Sequence, residues 1–119
     1  MDRLIKAWQN SVRAFRKLSV SETAFQQELA LLALAVPAAW FLSTSWRGYW
    51  LLVGAVLLLI MVEGLNTGIE AACDAVSHEF HIDIQLAKDC GSLAVLISVL
   101  IALIVWGLAV VETICGVPL

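Results

Sequence analysis

The chain has 119 residues, of which 61% are hydrophobic and 14% charged, with a mean hydropathy of +0.92 and a formal net charge of −3. That composition excludes an ordinary soluble domain and makes a membrane protein the default reading. A bilayer core about 30 Å thick takes about 20 apolar residues per helical crossing, so three crossings use half the chain and leave a single domain, residues 1–119.

The N-terminus opens with Asp2, Arg3 and Lys6, which does not resemble a secretory signal, and none is expected. Residues 2–18, DRLIKAWQNSVRAFRKL, set Leu4, Ile5, Trp8, Val12 and Phe15 along one helical face against basic and amide side chains. This pattern predicts an amphipathic helix lying in the membrane surface. Ser19 or Ser21 is the expected cap of the helix that follows.

The apolar run at 29–42 is too short to cross alone, so the first crossing is placed at about 23–42, reaching back through Ala24 and Phe25 and carrying Glu28 into the membrane's inner edge. Pro37 is a candidate kink. The turn STSWRG, 43–48, is ringed by Trp40, Trp46, Tyr49 and Trp50, an interfacial aromatic belt. A second crossing is expected at about 49–76, a polar loop at 78–89, and an uncharged third crossing at about 90–111. The fold expected is all-α. Five of the seven Lys and Arg precede the first crossing and none follows the third, which predicts a cytoplasmic N-terminus. Cys73, Cys90 and Cys115 are too few and too scattered for a disulfide framework or a thiolate zinc site.

Within the second crossing, VEGLNTGIEAACDAVS spaces Glu63, Asn66, Glu70, Asp74 and Ser77 at intervals of 3, 4, 4 and 3. At 100° per residue they fall within about 80° of one another, a polar stripe descending from the lipid toward water. Carboxylates in a membrane face a partner, a cavity or a metal, so the stripe marks a site. A single acid there would be read as a helix-pinning ion pair with Lys88 or the N-terminal arginines; Glu63, Asn66, Glu70 and Asp74 in register would not. Gly64 and Gly68 form a GxxxG pair, read as packing. Carboxylate oxygens with few imidazoles suit Mg²⁺ rather than zinc, and His78, Glu79 and His81 are the weaker zinc alternative. No GxxxxGK[ST] loop or protein-kinase motif is present, so nucleotide chemistry here needs another cradle.

The blocks VEGLNTGIEAACDAV and AKDCGSLAVLI resemble the signature of the small bacterial integral-membrane diacylglycerol kinases, E-x-x-N-[ST]-x-I-E-x-x-x-D followed by A-K-D-x-[GA]-[SA]-x-A-V-L. IKAxxxS at 5–11 and ExAFxQE at 22–28 resemble that family's surface helix and first crossing. The resemblance implies a homotrimer of three-crossing subunits in the bacterial inner membrane. It also implies transfer of the γ-phosphoryl group of MgATP to diacylglycerol, giving phosphatidic acid. By the same resemblance Glu63 is the general base, oriented by Asn66, and Glu22 and Glu70 hold the metal. Arg3, Asn10, Glu79, His81, Lys88 and Asp89 fall among ATP contacts with Glu22 and Glu70. Ser11, Ala24, Gln27, Glu28 and Ser92 fall beside the lipid substrate with Glu63, and Asp74 is structural. Gln26, where the family often has Arg, and Asn10, where an aromatic can occur, are departures. Two other readings stay open here: an undecaprenol kinase of the same family, and a carboxylate-lined proton or cation transport subunit.

Overall fold

The computed structural model describes residues 1–116 as four helices: α1 (Asp2–Ser21), α2 (Thr23–Leu42), α3 (Trp46–Val76) and α4 (Ile82–Cys115). The last three are long and apolar enough to span a membrane. Each follows from runs of Leu, Val, Ile and Ala whose backbone groups can be satisfied only within a helix once water is absent.

At about 1.5 Å per residue, the 20 residues of α2 match a bilayer core. The 31 of α3 and 34 of α4 exceed it by about 15 to 20 Å. These two packed helices are therefore longer than one crossing, and Glu70, Asp74 and Lys88 lie at their more polar ends, toward the C-terminus of α3 and the N-terminus of α4. The α3–α4 interface is the most extensive in the chain, α2 packs chiefly on α3, and α1 touches α2.

Two boundaries differ from the sequence expectation. The serines do not stop α1 at residue 18: Ser19 and Ser21 donate their hydroxyls back to the Phe15 and Lys17 carbonyls, and the helix continues to Ser21. Glu22, in extended conformation, makes the break, and no side chain caps α2. The Gln26 amide then donates to the Ser19 and Val20 carbonyls at 2.8 and 3.2 Å, satisfying orphan acceptors at the end of α1 and fixing the corner. Phe15 packs edge-on against buried Phe25 across that corner, with centroids 5.7 Å apart.

The second difference is the segment read as a loop at 78–89. Only Ser77–His81 lies outside helices, and α4 begins at Ile82. Charges in IDIQLAKD mask a helical turn because this turn lies where polar side chains are tolerated. Ser45 caps α3 by accepting from the Gly48 N–H at 3.1 Å, and α2 continues through Pro37.

The packed core sits at the end of the bundle away from the acids. Ala39, Leu52 and Val53 are buried there, with Tyr49, Val105 and Trp106 against them. Trp106 donates its indole N–H to the Leu52 carbonyl at 3.0 Å, tying α4 to α3. Ala55, Val56 and Leu59 continue the buried line of α3 toward Asn66. Beyond it the packing gives way to polar side chains.

Candidate functional site

The polar stripe of α3 faces neighbouring helices at half-buried Glu63 and buried Asn66, while Glu70 and Asp74 are exposed. Asn66 is 9% exposed, and a Cβ added to Gly91 of α4 would collide with the Asn66 Oδ1, so α4 approaches α3 closely at this point because residue 91 has no side chain. One turn on, the Asn66 Nδ2 donates to Glu70 Oε1 at 3.3 Å. Four residues further, Asp74 Oδ1 accepts from Lys88 Nζ at 3.0 Å, again across the α3–α4 seam.

Glu63 stands on the α2 side of the same face. Its carboxylate is half-buried and within electrostatic reach of Glu28 on α2, Glu22 at the α1–α2 break and Glu70 on its own helix. Lys88 is in turn within reach of Glu70. A continuous array thus runs from Glu28 and Glu22 through Glu63 and Glu70 to Lys88, across all three long helices. Gathering like charges in this way opposes folding unless cations or protons offset them.

Two buried oxygens, Glu28 Oε1 and Asn66 Oδ1, find no hydrogen-bond partner among the described residues. The Asn66 Oδ1 packs directly on Gly91 of α4, and Glu28 lies on the side of α2 toward Glu63.

The expected nucleotide contacts fall into two groups. Glu79, His81, Lys88 and Asp89 line one cavity of about 360 Å³, together with His78, Phe80, Ile84 and Gln85, at the polar ends of α3 and α4. Arg3 and Asn10 lie apart on α1, where Asn10 Oδ1 accepts from Arg13 at 2.9 Å. Of the expected lipid contacts, Ala24 and Glu28 are partly buried on α2, near Glu63 in the case of Glu28. Gln27 and Ser92 are exposed, and the Ser11 hydroxyl is turned back to the Ala7 carbonyl.

No three His, Cys, Asp or Glu side chains among the described residues converge as a metal cage, and His78, Glu79 and His81 form none. Glu22 and Glu70 fit Mg²⁺ in another way. It is usually bound through one or two carboxylates, with waters and phosphate oxygens filling the remaining positions. Both residues offer hard oxygen donors.

Sequence reasoning missed the roles of Gly91 and Gln26. A Gly in AKDCGS signals close approach but not to whom, and Gln26 carries no motif.

The family described as Prokaryotic diacylglycerol kinase matches residues 9–110. The chain is 40% identical to a diacylglycerol kinase of Escherichia coli (strain K12) over 104 residues, covering 87% of this chain and 85% of that protein. It is 33% identical to one from Haemophilus influenzae over 107 residues, 90% and 91% of the two chains. To one from Helicobacter pylori (strain 26695) it is 32% identical over 105 residues, 88% and 82%.

Proposed function

The chain belongs to the prokaryotic diacylglycerol kinase family and is a membrane lipid kinase, and we propose that it transfers the γ-phosphoryl group of MgATP to the hydroxyl of 1,2-diacylglycerol, giving phosphatidic acid and ADP. The observation that carries the reading is the array of Glu22, Glu28, Glu63 and Glu70 joined through Asn66 to the α3–α4 seam. These acids support a reading in which one serves as base and a pair takes a cation.

A diacylglycerol keeps its chains in lipid and its hydroxyl at the interface. Glu63, nearer the lipid than Glu70 by about two turns, is the acid such a hydroxyl meets. In the proposed reaction Glu63 accepts the hydroxyl proton as that oxygen forms its bond to the γ-phosphorus and the bond to ADP breaks. Glu63 then gives up the proton to water. Asn66, pressed on Gly91 and bonded to Glu70, keeps the two acids in register. Glu22 and Glu70 would hold Mg²⁺, which would neutralise charge on the nucleotide phosphates. Lys88 adds a second positive charge, and Glu79, His81 and Asp89, with Arg3 and Asn10 from α1, enclose the rest of ATP. Phosphoryl transfer consists mainly of positioning and charge neutralisation, so these groups suffice.

Ser11, Ala24, Gln27, Glu28 and Ser92 surround the lipid in this reading. The subunits form a homotrimer in the bacterial inner membrane with the N-terminus cytoplasmic. Arg3 and Asn10 lie on α1, apart from the acids of α3, which agrees with sites shared between subunits. α1 lies in the interface with exposed Leu4, Ile5, Trp8 and Phe15 toward lipid.

The polyprenol acceptor is not favoured, since the relatives cited above are named diacylglycerol kinases, and family membership leaves the transport reading without support. The test is to offer diacylglycerol and undecaprenol separately to the purified protein with labelled ATP. Label appears in phosphatidic acid; faster labelling of undecaprenol reverses the substrate assignment, and labelling of neither removes the kinase reading.

A further inference from the structure

Glu22 is the single residue between α1 and α2, held in extended conformation with φ −111° and ψ 111°. A polar side chain at this position commonly turns back to accept from the first amides of the helix it precedes. Glu22 makes no such bond. The direction of its carboxylate therefore follows the backbone of the break, and it stands within electrostatic reach of Glu63 on α3. The set of α1 against α2 decides where this acid lies.

Gln26 joins the two sides of the break. Its backbone N–H donates to the Glu22 carbonyl at 3.1 Å, while its side-chain amide donates to the Ser19 and Val20 carbonyls at 2.8 and 3.2 Å. The Glu22 N–H points the other way and donates to the Leu18 carbonyl at 3.0 Å. Glu22 thus sits inside a loop that one side chain closes. Phe15 against Phe25 also spans the corner, but an edge-on ring pair fixes separation more than twist. Hydrogen bonds weaken steeply when they leave line, so the amide resists the twist that the rings permit.

We propose that Gln26 is a positioning residue of the kinase: by bridging the α1–α2 break, it holds the Glu22 carboxylate toward the acids of α3, where the two helices together present a cation ligand. This rests on the reading of Glu22 as a metal-holding acid. Gln26 is exposed and acts through Glu22.

Gln26→Met keeps the length of the side chain and removes the donor. In the purified full chain it is expected to raise the Mg²⁺ concentration for half-maximal phosphorylation of diacylglycerol by about threefold to tenfold, the range for two modest neutral hydrogen bonds. The rate at saturating Mg²⁺ and the KM for diacylglycerol should stay at wild-type values. Hydrogen exchange of the amides at 18–26 should quicken, and an unchanged Mg²⁺ requirement overturns the proposal even when it does, since the bridge then serves the fold alone. Gln26→Arg supplies donors again, with a charge that suits the carbonyl end of α1, and should return the requirement to the wild-type value. A requirement as high as that of Gln26→Met would overturn the proposal. Ser21→Ala removes a hydroxyl bond that stays within α1 and should leave the Mg²⁺ requirement unchanged. An equal rise there would trace the effect to a weakened end of α1 and also overturn it. Failure of the wild type to phosphorylate any lipid would instead remove the kinase reading, a result separate from any difference among the variants.

Discussion

Gly91 and Asn66 occupy one another's space: the Asn66 carboxamide fills the position that a side chain on residue 91 would take. Asn66 is among the few buried polar residues of the bundle, and it is bonded to Glu70. Close approach of α4 at Gly91 therefore decides where an acid of α3 points. Packing and chemistry are coupled through a missing methyl group.

Gly91→Ala is expected to separate the two effects. Alanine favours a helix over glycine by about 1 kcal/mol, which offsets part of the clash. The flexible end of Asn66 must yield, moving Glu70 with it. The family signature admits Gly or Ala at this position and the atom displaced is the end of a flexible side chain, so turnover should fall by no more than about tenfold. Thermal unfolding should show the protein intact while steady-state kinetics show the loss; full turnover would mean that Asn66 does not position the acids.

Glu63→Gln and Glu70→Gln should fail differently. Loss of the base lowers kcat by a factor on the order of 10² to 10⁴ with little change in KM for MgATP. Loss of a metal carboxylate instead raises the Mg²⁺ concentration needed for half-maximal rate, and excess Mg²⁺ recovers part of the activity. Titrating Mg²⁺ at fixed ATP for both variants checks the division. The same metal dependence in each would place the two acids in a single role.

Three apolar helices and the α3 stripe were legible because both rest on period: runs of Leu, Val and Ile at membrane length, and Glu63, Asn66, Glu70 and Asp74 at 3- and 4-residue steps. Ends were less legible. Ser19 and Ser21 look like caps, yet their hydroxyls bond backward within α1, and Glu22 makes the break without a capping bond. Ile82–Asp89 looks like a loop because charge is read as absence of helix, whereas the end of a helix longer than one crossing is free to be polar. Partners across a seam were least legible. Nothing in the spacing of AKDCGS says that Gly91 meets Asn66 or that Lys88 meets Asp74, since that register is set by how two long helices slide against each other.

Lys88 and Asp74 form an ion pair at 3.0 Å with both side chains well exposed. Such pairs contribute little to stability and weaken in salt. Lys88→Met should therefore leave thermal stability as it is and raise KM for MgATP by about tenfold or more, the loss of a charge-assisted phosphate contact. Asp74→Asn should change KM much less, because lysine can reach phosphate without it. Kinetics of the two single variants and the double variant check this; equal losses in all three would show that the pair acts as one unit.

Trp106 gives the converse case, a residue that serves the fold away from the chemistry. Its indole N–H donates to the Leu52 carbonyl at 3.0 Å, beside buried Ala39 and Val53. Within a membrane a helix-to-helix hydrogen bond contributes about 0.6 to 2 kcal/mol, since the separated helices also find partners. Trp106→Phe keeps an aromatic ring in the core and removes only the donor, so it should destabilise by that amount. Trp106→Ala also leaves a void and should cost about 3 to 5 kcal/mol. Unfolding in mixed micelles by a denaturing detergent measures both. Turnover per folded molecule should stay at the wild-type level, because the acids lie toward the opposite end of α3. A loss of turnover in Trp106→Phe without a loss of stability would show that the packed end of the bundle controls the reacting end, and that the two halves of α3 and α4 do not act independently.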